Sequence, residues 1–263
     1  MQLETEEGAV TMMVLPIGIA QGAEIVETKK VTLSNPIVVV GFPGPGLIGT
    51  IVTHHLIGML EMDLVGTIRS PFTPAISPFY GGMLRAPIRI YATKDGKLVS
   101  IISEVPLPTV SLPYFAYAIS EWAQKNDASE LICVEGISKK EDGKKCVVYG
   151  VAEPEVLGEL EEHDIPRLPA GFVGGLPGAI MNECLMRELN GLCLLVEATK
   201  DAPDPASAAE VVKVLSRVRG VNTDVQALVT EAKNIKKQMR ELAAHTEKGK
   251  LQEMKNSPVP IYT

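Results

Sequence analysis

Apolar residues follow two different spacings, and these spacings alternate through most of the chain. Short runs rich in β-branched residues predict buried strands. The predicted strands are 37–40, 64–68, 88–91, 98–104, 130–135, 146–149 and 192–198. Apolar residues three or four positions apart predict helices. The predicted helices are 47–60, 111–125, 153–163, 179–189 and 206–219. This alternation predicts an α/β fold with a mainly parallel central sheet flanked by helices.

Three other patterns predict the remaining connections and edges of the core. Residues 71–87 contain four prolines and a Gly-Gly pair, so we expect a long loop without regular structure. Residues 94–97 read Lys-Asp-Gly-Lys, and the Asp-Gly step predicts a hairpin between its flanking strands. Weak alternation in 11–20 and 23–33 predicts one or two edge strands.

In the C-terminal quarter of the chain, the spacing of the apolar residues changes to a heptad repeat. Its apolar residues follow one another at alternating spacings of four and three, which is the spacing of a coiled-coil seam. The heptad positions are Val221, Val225, Leu228, Ala232, Ile235, Met239 and Leu242. We interpret Val225, Leu228, Ile235, Met239 and Leu242 as candidate oligomerisation contacts. The alternative is that this helix packs along its own domain.

The last residues form a different kind of segment. We predict an α/β core at residues 1–219 and a helix at residues 220–245. Residues 246–263 lack helical periodicity, so we expect them to form a flexible tail. The tail ends in Ile261, Tyr262 and Thr263, which offer an apolar side chain, a phenolic hydroxyl and a terminal carboxylate. A lysine-bearing pocket can bind this set of groups. We expect docking on a partner; the alternatives are a chance occurrence of these residues or a strand that folds back onto the sheet.

Composition narrows the class of protein. Of the 263 residues, 46% are hydrophobic and 22% are charged, which favours one large core over a disordered chain. The net charge of -7 disfavours a nucleic-acid partner, because a phosphate backbone requires a cationic surface. The apolar stretch 12–20 is too short to span a bilayer and follows acidic residues, so we expect no membrane segment or signal peptide. We expect a cytoplasmic protein whose four cysteines are reduced.

Glycine-rich turns precede two of the predicted helices. In the first turn Gly41 is followed by Gly44, Gly46 and Gly49, which form G-x-G-x-x-G between a strand and a helix. That context is the one in which a dinucleotide fingerprint occurs. The second turn contains Gly174, Gly175 and Gly178.

The first turn lacks two features that nucleotide binding requires. Pro43 and Pro45 remove two backbone N–H donors, and the second predicted strand ends at Arg69 and Ser70 where an acid would bind the ribose. We therefore interpret its glycines as structural, because they allow a tight turn and close packing of the helix on the sheet. A nucleotide-binding enzyme that uses the loop from Gly41 to Gly49 remains the alternative function.

No pattern in the sequence predicts catalysis or a metal site. His54 and His55 are adjacent, so on a helix they point about 100° apart and do not readily serve one metal ion. His163 has no cysteine or carboxylate partner at a metal-ligand spacing. No G-x-S-x-G nucleophile elbow occurs. We predict a protein that is not an enzyme and that binds no metal or cofactor.

Two distant glycine-rich segments and the chain end together resemble the proteasome assembly chaperone family, especially its archaeal homologues. The segments are VVVGFPGPGLIG at 38–49 and GGLPG at 174–178, and the end is Ile261, Tyr262 and Thr263. The resemblance extends over residues 35–242, with the tail in addition. It implies an α/β core with a sheet flanked by helices, a homo-oligomer and no established enzymatic activity.

The resemblance also implies a partner, namely the α subunits of the proteasome core particle. The family's hydrophobic-tyrosine-any motif inserts into pockets between neighbouring α subunits. In this chain the match implies that the Thr263 carboxylate pairs with a pocket lysine, that Tyr262 hydrogen-bonds through its hydroxyl and that Ile261 makes an apolar contact. Assembly chaperones and activators of the finished particle share this motif, so both roles remain open.

Overall fold

A single large sheet forms the centre of the protein. The computed structural model describes residues 22–138, 146–199 and 202–230. Its strands are β1 (Glu24–Glu27), β2 (Ile37–Gly41), β3 (Asp63–Arg69), β4 (Phe79–Tyr80), β5 (Met83–Leu84), β6 (Ile88–Ala92), β7 (Leu98–Ser103), β8 (Glu130–Ser138), β9 (Val148–Ala152) and β10 (Gly191–Ala198). Its helices are α1 (Ile48–Met59), α2 (Leu112–Lys125), α3 (Pro154–Glu162), α4 (Gly175–Arg187) and α5 (Pro205–Arg219). No helix in these ranges is long and apolar enough to cross a membrane.

The sheet is mixed, which corrects the prediction of a mainly parallel one. Eight of the described strands form it, in the order β1-β3-β6-β7-β2-β8-β10-β9. The central strands β7, β2, β8 and β10 are parallel, whereas β1, β3, β6 and β9 join antiparallel to their neighbours. The reason is that no helix connects β3 to β6 or β6 to β7, and a parallel pair requires a long crossover. The α/β fold with a central sheet flanked by helices is confirmed.

The central strands are apolar on both of their faces because helices cover both sides of the sheet. Val39 of β2 packs in the core layer of α1, α3 and α5, which we call the first face. Val38 and Val40 point the other way, into the layer of α2 and α4 on the second face. This alternation explains why the strand reads as one continuous apolar run.

Helix α5 illustrates how the sequence sets the ends of an element. The Asp204 side chain accepts a hydrogen bond from the Ser207 N–H (3.1 Å) and caps its amino end, where Pro205 takes the first position. Gly220 ends the helix in the left-handed conformation. The predicted apolar stripe is confirmed, since the side chains of the stripe are fully buried. Its members are Ala208, Val211, Val212 and Leu215.

The described part of the heptad packs on the first face. Residues 225–230 are helical. Val221 and Leu228 are buried in the same layer as α1 and α5, and Leu228 is only 1% exposed. Val225 is partly buried against this layer. The start of the heptad therefore contributes to the core of its own protomer.

The proline-rich segment contains regular structure where a loop was predicted. Strands β4 and β5 pair as a short hairpin, with Phe79 opposite Leu84. Gly81 and Gly82 both have positive φ, so the Gly-Gly pair supplies the turn that such a hairpin requires. The polar residues at 139–145 and the strand predicted at 11–20 lie outside the described residues.

Helix α1 lies directly on the sheet because two glycines leave room for its backbone. A Cβ atom at Gly49 would lie 2.7 Å from the Val134 carbonyl oxygen and 3.0 Å from the Gly41 Cα atom. A Cβ atom at Gly41 would overlap the Gly49 carbonyl group. The two glycines thus set the distance between α1 and the strands β2 and β8.

Gly49→Ala should lower the free energy of unfolding by about 1–3 kcal/mol, because the added methyl group meets backbone atoms that cannot move aside easily. Gly58→Ala in the same helix is the matched control, since a Cβ there meets nothing within 4 Å. That control should raise stability by about 0.5–1 kcal/mol, because alanine is the better helix former. Urea denaturation measures both changes, and equal effects of the two substitutions would contradict the close packing.

Candidate functional site

The first glycine-rich turn uses its backbone groups within the fold. Gly44 is extended, and a single 3-10 turn follows in which Gly46 has a φ of 67°. The Leu47 N–H donates a hydrogen bond to the Gly44 carbonyl (2.9 Å), and the Gly46 carbonyl accepts one from the Asp204 N–H (2.8 Å). These bonds tie the turn to itself and to the start of α5. Pro43 and Pro45 have no N–H and therefore offer no backbone donor to a ligand.

Two carboxylates flank this turn. Glu135, near the end of β8, packs against Gly44 in the space that a Cβ atom would fill. It accepts a hydrogen bond from the Gly136 N–H (2.9 Å), and burial raises the pKa of its carboxyl to about 7. Burial also acts to raise the pKa of Asp204, but hydrogen bonds from Ser207 and Thr199 outweigh it, so this pKa is lowered.

These carboxylates give the turn an acidic surrounding. A phosphate group placed here would meet the charge of Asp204 and, near neutral pH, part of the charge of Glu135. Backbone donors and a positive local potential are what an anion site supplies. The geometry therefore favours the structural interpretation of Gly41, Gly44, Gly46 and Gly49.

The second glycine-rich segment is the beginning of a helix and not a separate turn. Helix α4 begins at Gly175, whereas the sequence predicted a helix from 179 onward. The Gly178 N–H donates to the Gly174 carbonyl (3.3 Å), so the helical bonding starts within the glycines. A Cβ atom at Gly178 would overlap the Val173 carbonyl group. Only glycine fits at position 178, because the backbone of Val173 lies against it at the start of α4.

A buried ion pair lies near the carboxyl end of β7, and sequence analysis did not identify it. The Arg89 guanidinium donates to both carboxylate oxygens of Glu104, at 2.9 and 3.1 Å. The Tyr80 hydroxyl of the β4–β5 hairpin donates to the same carboxylate (2.7 Å). Arg89 also donates to the Tyr91 hydroxyl (3.1 Å) and to the Ala86 carbonyl (2.8 Å).

The environment of this pair shifts the pKa of each acidic member. Burial acts to raise the pKa of Glu104, but hydrogen bonds from Arg89 and Tyr80 outweigh it and the pKa is lowered. Burial and the bond to Glu104 raise the pKa of Tyr80 to about 12. Arg89 stands opposite Ile102 in the β6–β7 ladder, so Glu104 is its diagonal neighbour. The predicted hairpin register was thus the signal that could have revealed the pair.

Of the predicted oligomerisation and docking residues, only Val225 and Leu228 belong to the described part of the chain. Leu228 is buried within its own protomer, and Val225 is partly buried beside it. Six predicted residues lie outside the described residues, namely Ile235, Met239, Leu242, Ile261, Tyr262 and Thr263. Within the described ranges, no group of three or more His, Cys, Asp or Glu side chains is placed to hold a metal ion.

Three known proteins show what the chain is similar to. PbaA of Pyrococcus furiosus, an archaeal homolog of proteasome-assembly chaperone, is 30% identical with a TM-score of 0.77, over 87% of this chain and 99% of PbaA. PbaB of the same organism, an archaeal proteasome activator, shares the fold at 20% identity with a TM-score of 0.72, over 84% of this chain and 99% of PbaB. The uncharacterized protein MJ0106 of Methanocaldococcus jannaschii is 27% identical over 84% of this chain and 90% of its own length.

The match to a family model covers most of the fold, from β2 to beyond α5. Residues 38–243 match the PAC2 family. The match begins in β2 and includes both glycine-rich segments, which carried the resemblance to proteasome assembly chaperones. That resemblance is confirmed for the domain, while residues 261–263 lie beyond the matched range. The chain belongs to the PAC2 family.

Proposed function

We propose that the chain is a non-enzymatic, homo-oligomeric protein that binds the proteasome core particle through its C-terminal tail. The observation that carries the proposal is the 30% identity to PbaA over almost all of that protein, combined with the terminal residues Ile261, Tyr262 and Thr263. PbaA is an archaeal homolog of proteasome-assembly chaperone, and PbaB, which has the same fold, is an archaeal proteasome activator. Both descriptions support a proteasome-associated role.

The tail supplies three interactions of different kinds. A lysine in a pocket between α subunits would pair with the Thr263 carboxylate in a charge-assisted bond. Tyr262 would add a hydrogen bond through its hydroxyl, and Ile261 would bury apolar surface. Each contact is modest by itself, but several tails on one oligomer can raise the affinity by about 10² to 10⁴.

Self-association is part of the proposal, and the heptad is one candidate for it. Leu228 already packs in the core of its own protomer, so it is a poor probe of contacts between protomers. Val225, Ile235, Met239 and Leu242 remain candidate contacts. These residues belong to the same a/d pattern, which a coiled-coil seam would place on one side of the helix.

The surroundings of the first glycine-rich turn support a non-enzymatic role. Pro43 and Pro45 lack donors, and the Glu135 and Asp204 carboxylates lie beside the turn. The alternative of a nucleotide-binding enzyme rests on the G-x-G-x-x-G spacing alone. The proposal therefore assigns this turn to the packing of α1 on the sheet.

Deletion of residues 261–263 should abolish binding to the purified core particle of the host, measured by co-sedimentation, because all three tail contacts are lost. Tyr262→Ala should weaken binding strongly. Tyr262→Phe should weaken each tail by about 2- to 10-fold, the equivalent of one hydrogen bond. One glycine added after Thr263 should also impair binding, since it displaces the carboxylate.

Val259→Ala is the matched control within the tail and should bind like the wild type. Light scattering and thermal unfolding should be the same for all of these variants, which separates docking from folding. Undiminished binding after the deletion would contradict the proposal. Free α subunits and finished core particles, tested side by side, distinguish an assembly chaperone from an activator.

Titration calorimetry with nicotinamide and adenine nucleotides should give no saturable heat at millimolar ligand, because the turn offers carboxylates where a phosphate needs donors. The full-length protein is used, and a proven dinucleotide-binding protein serves as the positive control. A saturable heat with a dissociation constant below about 1 mM would revive the enzyme hypothesis.

A further inference from the structure

The β4–β5 hairpin presents a cluster of large apolar side chains to solvent. Phe79 is 68% exposed and Leu84 is 74% exposed, and these two residues are paired across the hairpin. Tyr80 and Met83 form the other pair and are also exposed. Residues 70–84 contain no charged side chain. Contiguous exposed apolar patches are commonly sites of contact with another molecule.

The hairpin is fixed to the core, so its apolar side chains are presented in a defined arrangement. The Tyr80 hydroxyl is bound to Glu104, which is in turn held by buried Arg89. At the base of the hairpin, the Arg85 N–H donates to the Pro78 carbonyl (2.9 Å). A preformed surface loses little conformational freedom on binding and therefore favours association.

An apolar cavity lies at the opposite edge of the sheet, between β9 and α4. Its volume is about 150 Å³. The walls are formed mainly by apolar side chains, namely Val151, Ala152, Met181, Cys184 and Leu185, and Glu153 contributes a carboxylate. An apolar cavity of about this volume accommodates a benzene-sized group. The phenyl ring of Phe79 is such a group.

The hairpin and the cavity cannot meet within one protomer. The hairpin connects β3 to β6, whereas the cavity borders β9, five strand positions beyond β6 in the sheet. With strands about 4.8 Å apart, the lateral separation is about 24 Å. The two features also lie at opposite ends, because Glu104 follows the carboxyl end of β7 and Ala152 pairs with Leu192 at the amino end of β10.

We propose that the β4–β5 hairpin of one protomer inserts Phe79 into the β9–α4 cavity of a second copy of the chain. One contact of this kind covers both exposed apolar surfaces, including Leu185, which is 58% exposed beside the cavity. The uncharged hairpin is compatible with a cavity whose charged lining residue is Glu153, since no like charges approach each other. This inference specifies the self-association in the proposed function and does not depend on proteasome binding.

The contact is heterologous, because each protomer offers a hairpin to one neighbour and a cavity to another. Such head-to-tail contacts produce a closed ring when the rotation between neighbours closes, and an open chain when it does not. An isologous dimer would instead use the same surface patch twice. This difference allows a test by complementation.

Phe79→Asp and Leu185→Asp should each lower the mass of the full-length protein in light scattering, because each variant has lost one half of the contact. A mixture of the two should contain a two-chain species, since one intact hairpin and one intact cavity remain. Met59→Asp is the matched control, because Met59 is an exposed apolar residue in the last turn of α1, as Leu185 is near the end of α4. An unchanged mass of either variant, or no association in the mixture, would overturn the proposal.

Cross-linking tests the same contact between residues of two different chains. A mixture of Phe79→Cys and Leu185→Cys should give a covalent dimer on a non-reducing gel, and Met59→Cys with Leu185→Cys should give none. A dimer formed by Leu185→Cys with Phe172→Cys instead would assign the cavity to another exposed aromatic residue and overturn the proposal. Deletion of residues 261–263 should change neither mass nor cross-linking, so failure of this contact is distinct from failure of tail docking.

Discussion

The amino end of α1 lies on the carboxyl end of β2 with no side chain between the two backbones. Gly41 and Gly49 make this approach possible, since a Cβ atom at either position would meet backbone atoms of the neighbouring segment. Because α1 lies so close, it shares the first core layer with α5 and with Leu228. The arrangement of this whole face therefore depends on two positions where no side chain fits.

The same close packing determines the chemistry of the turn. In α/β sheets, ligands commonly bind beyond the carboxyl ends of the strands. Here the turn that follows β2 makes contacts within the protein instead, because Gly44 packs against the Glu135 carboxylate and the Gly46 carbonyl accepts a hydrogen bond from the Asp204 N–H. This agrees with a protein whose proposed partners are other proteins.

The elements that the sequence predicted well are those that local patterns determine. The continuous apolar run of β2, the stripe of α5 and the Asp-Gly hairpin between β6 and β7 each follow from residues near one another in the chain. Strand direction was predicted less well, because it depends on which connections contain a helix. The start of α4 was placed too late, since glycine is a poor helix former and gave no helical signal. The β4–β5 hairpin was missed because prolines around it outweighed the Gly-Gly turn signal.

The pair formed by Arg89 and Glu104 shows why a candidate surface could not be predicted from the sequence. A buried ion pair adds little net stability, because the desolvation of both charges offsets their attraction. Its effect here is geometric, since Glu104 accepts a hydrogen bond from the Tyr80 hydroxyl and so ties the apolar hairpin to the core. The exposed apolar hairpin and the buried ion pair are thus connected through the hydrogen bond between Tyr80 and Glu104. The ion pair is not visible in the local pattern of residues 70–84, because its charges come from β6 and from the residue after β7.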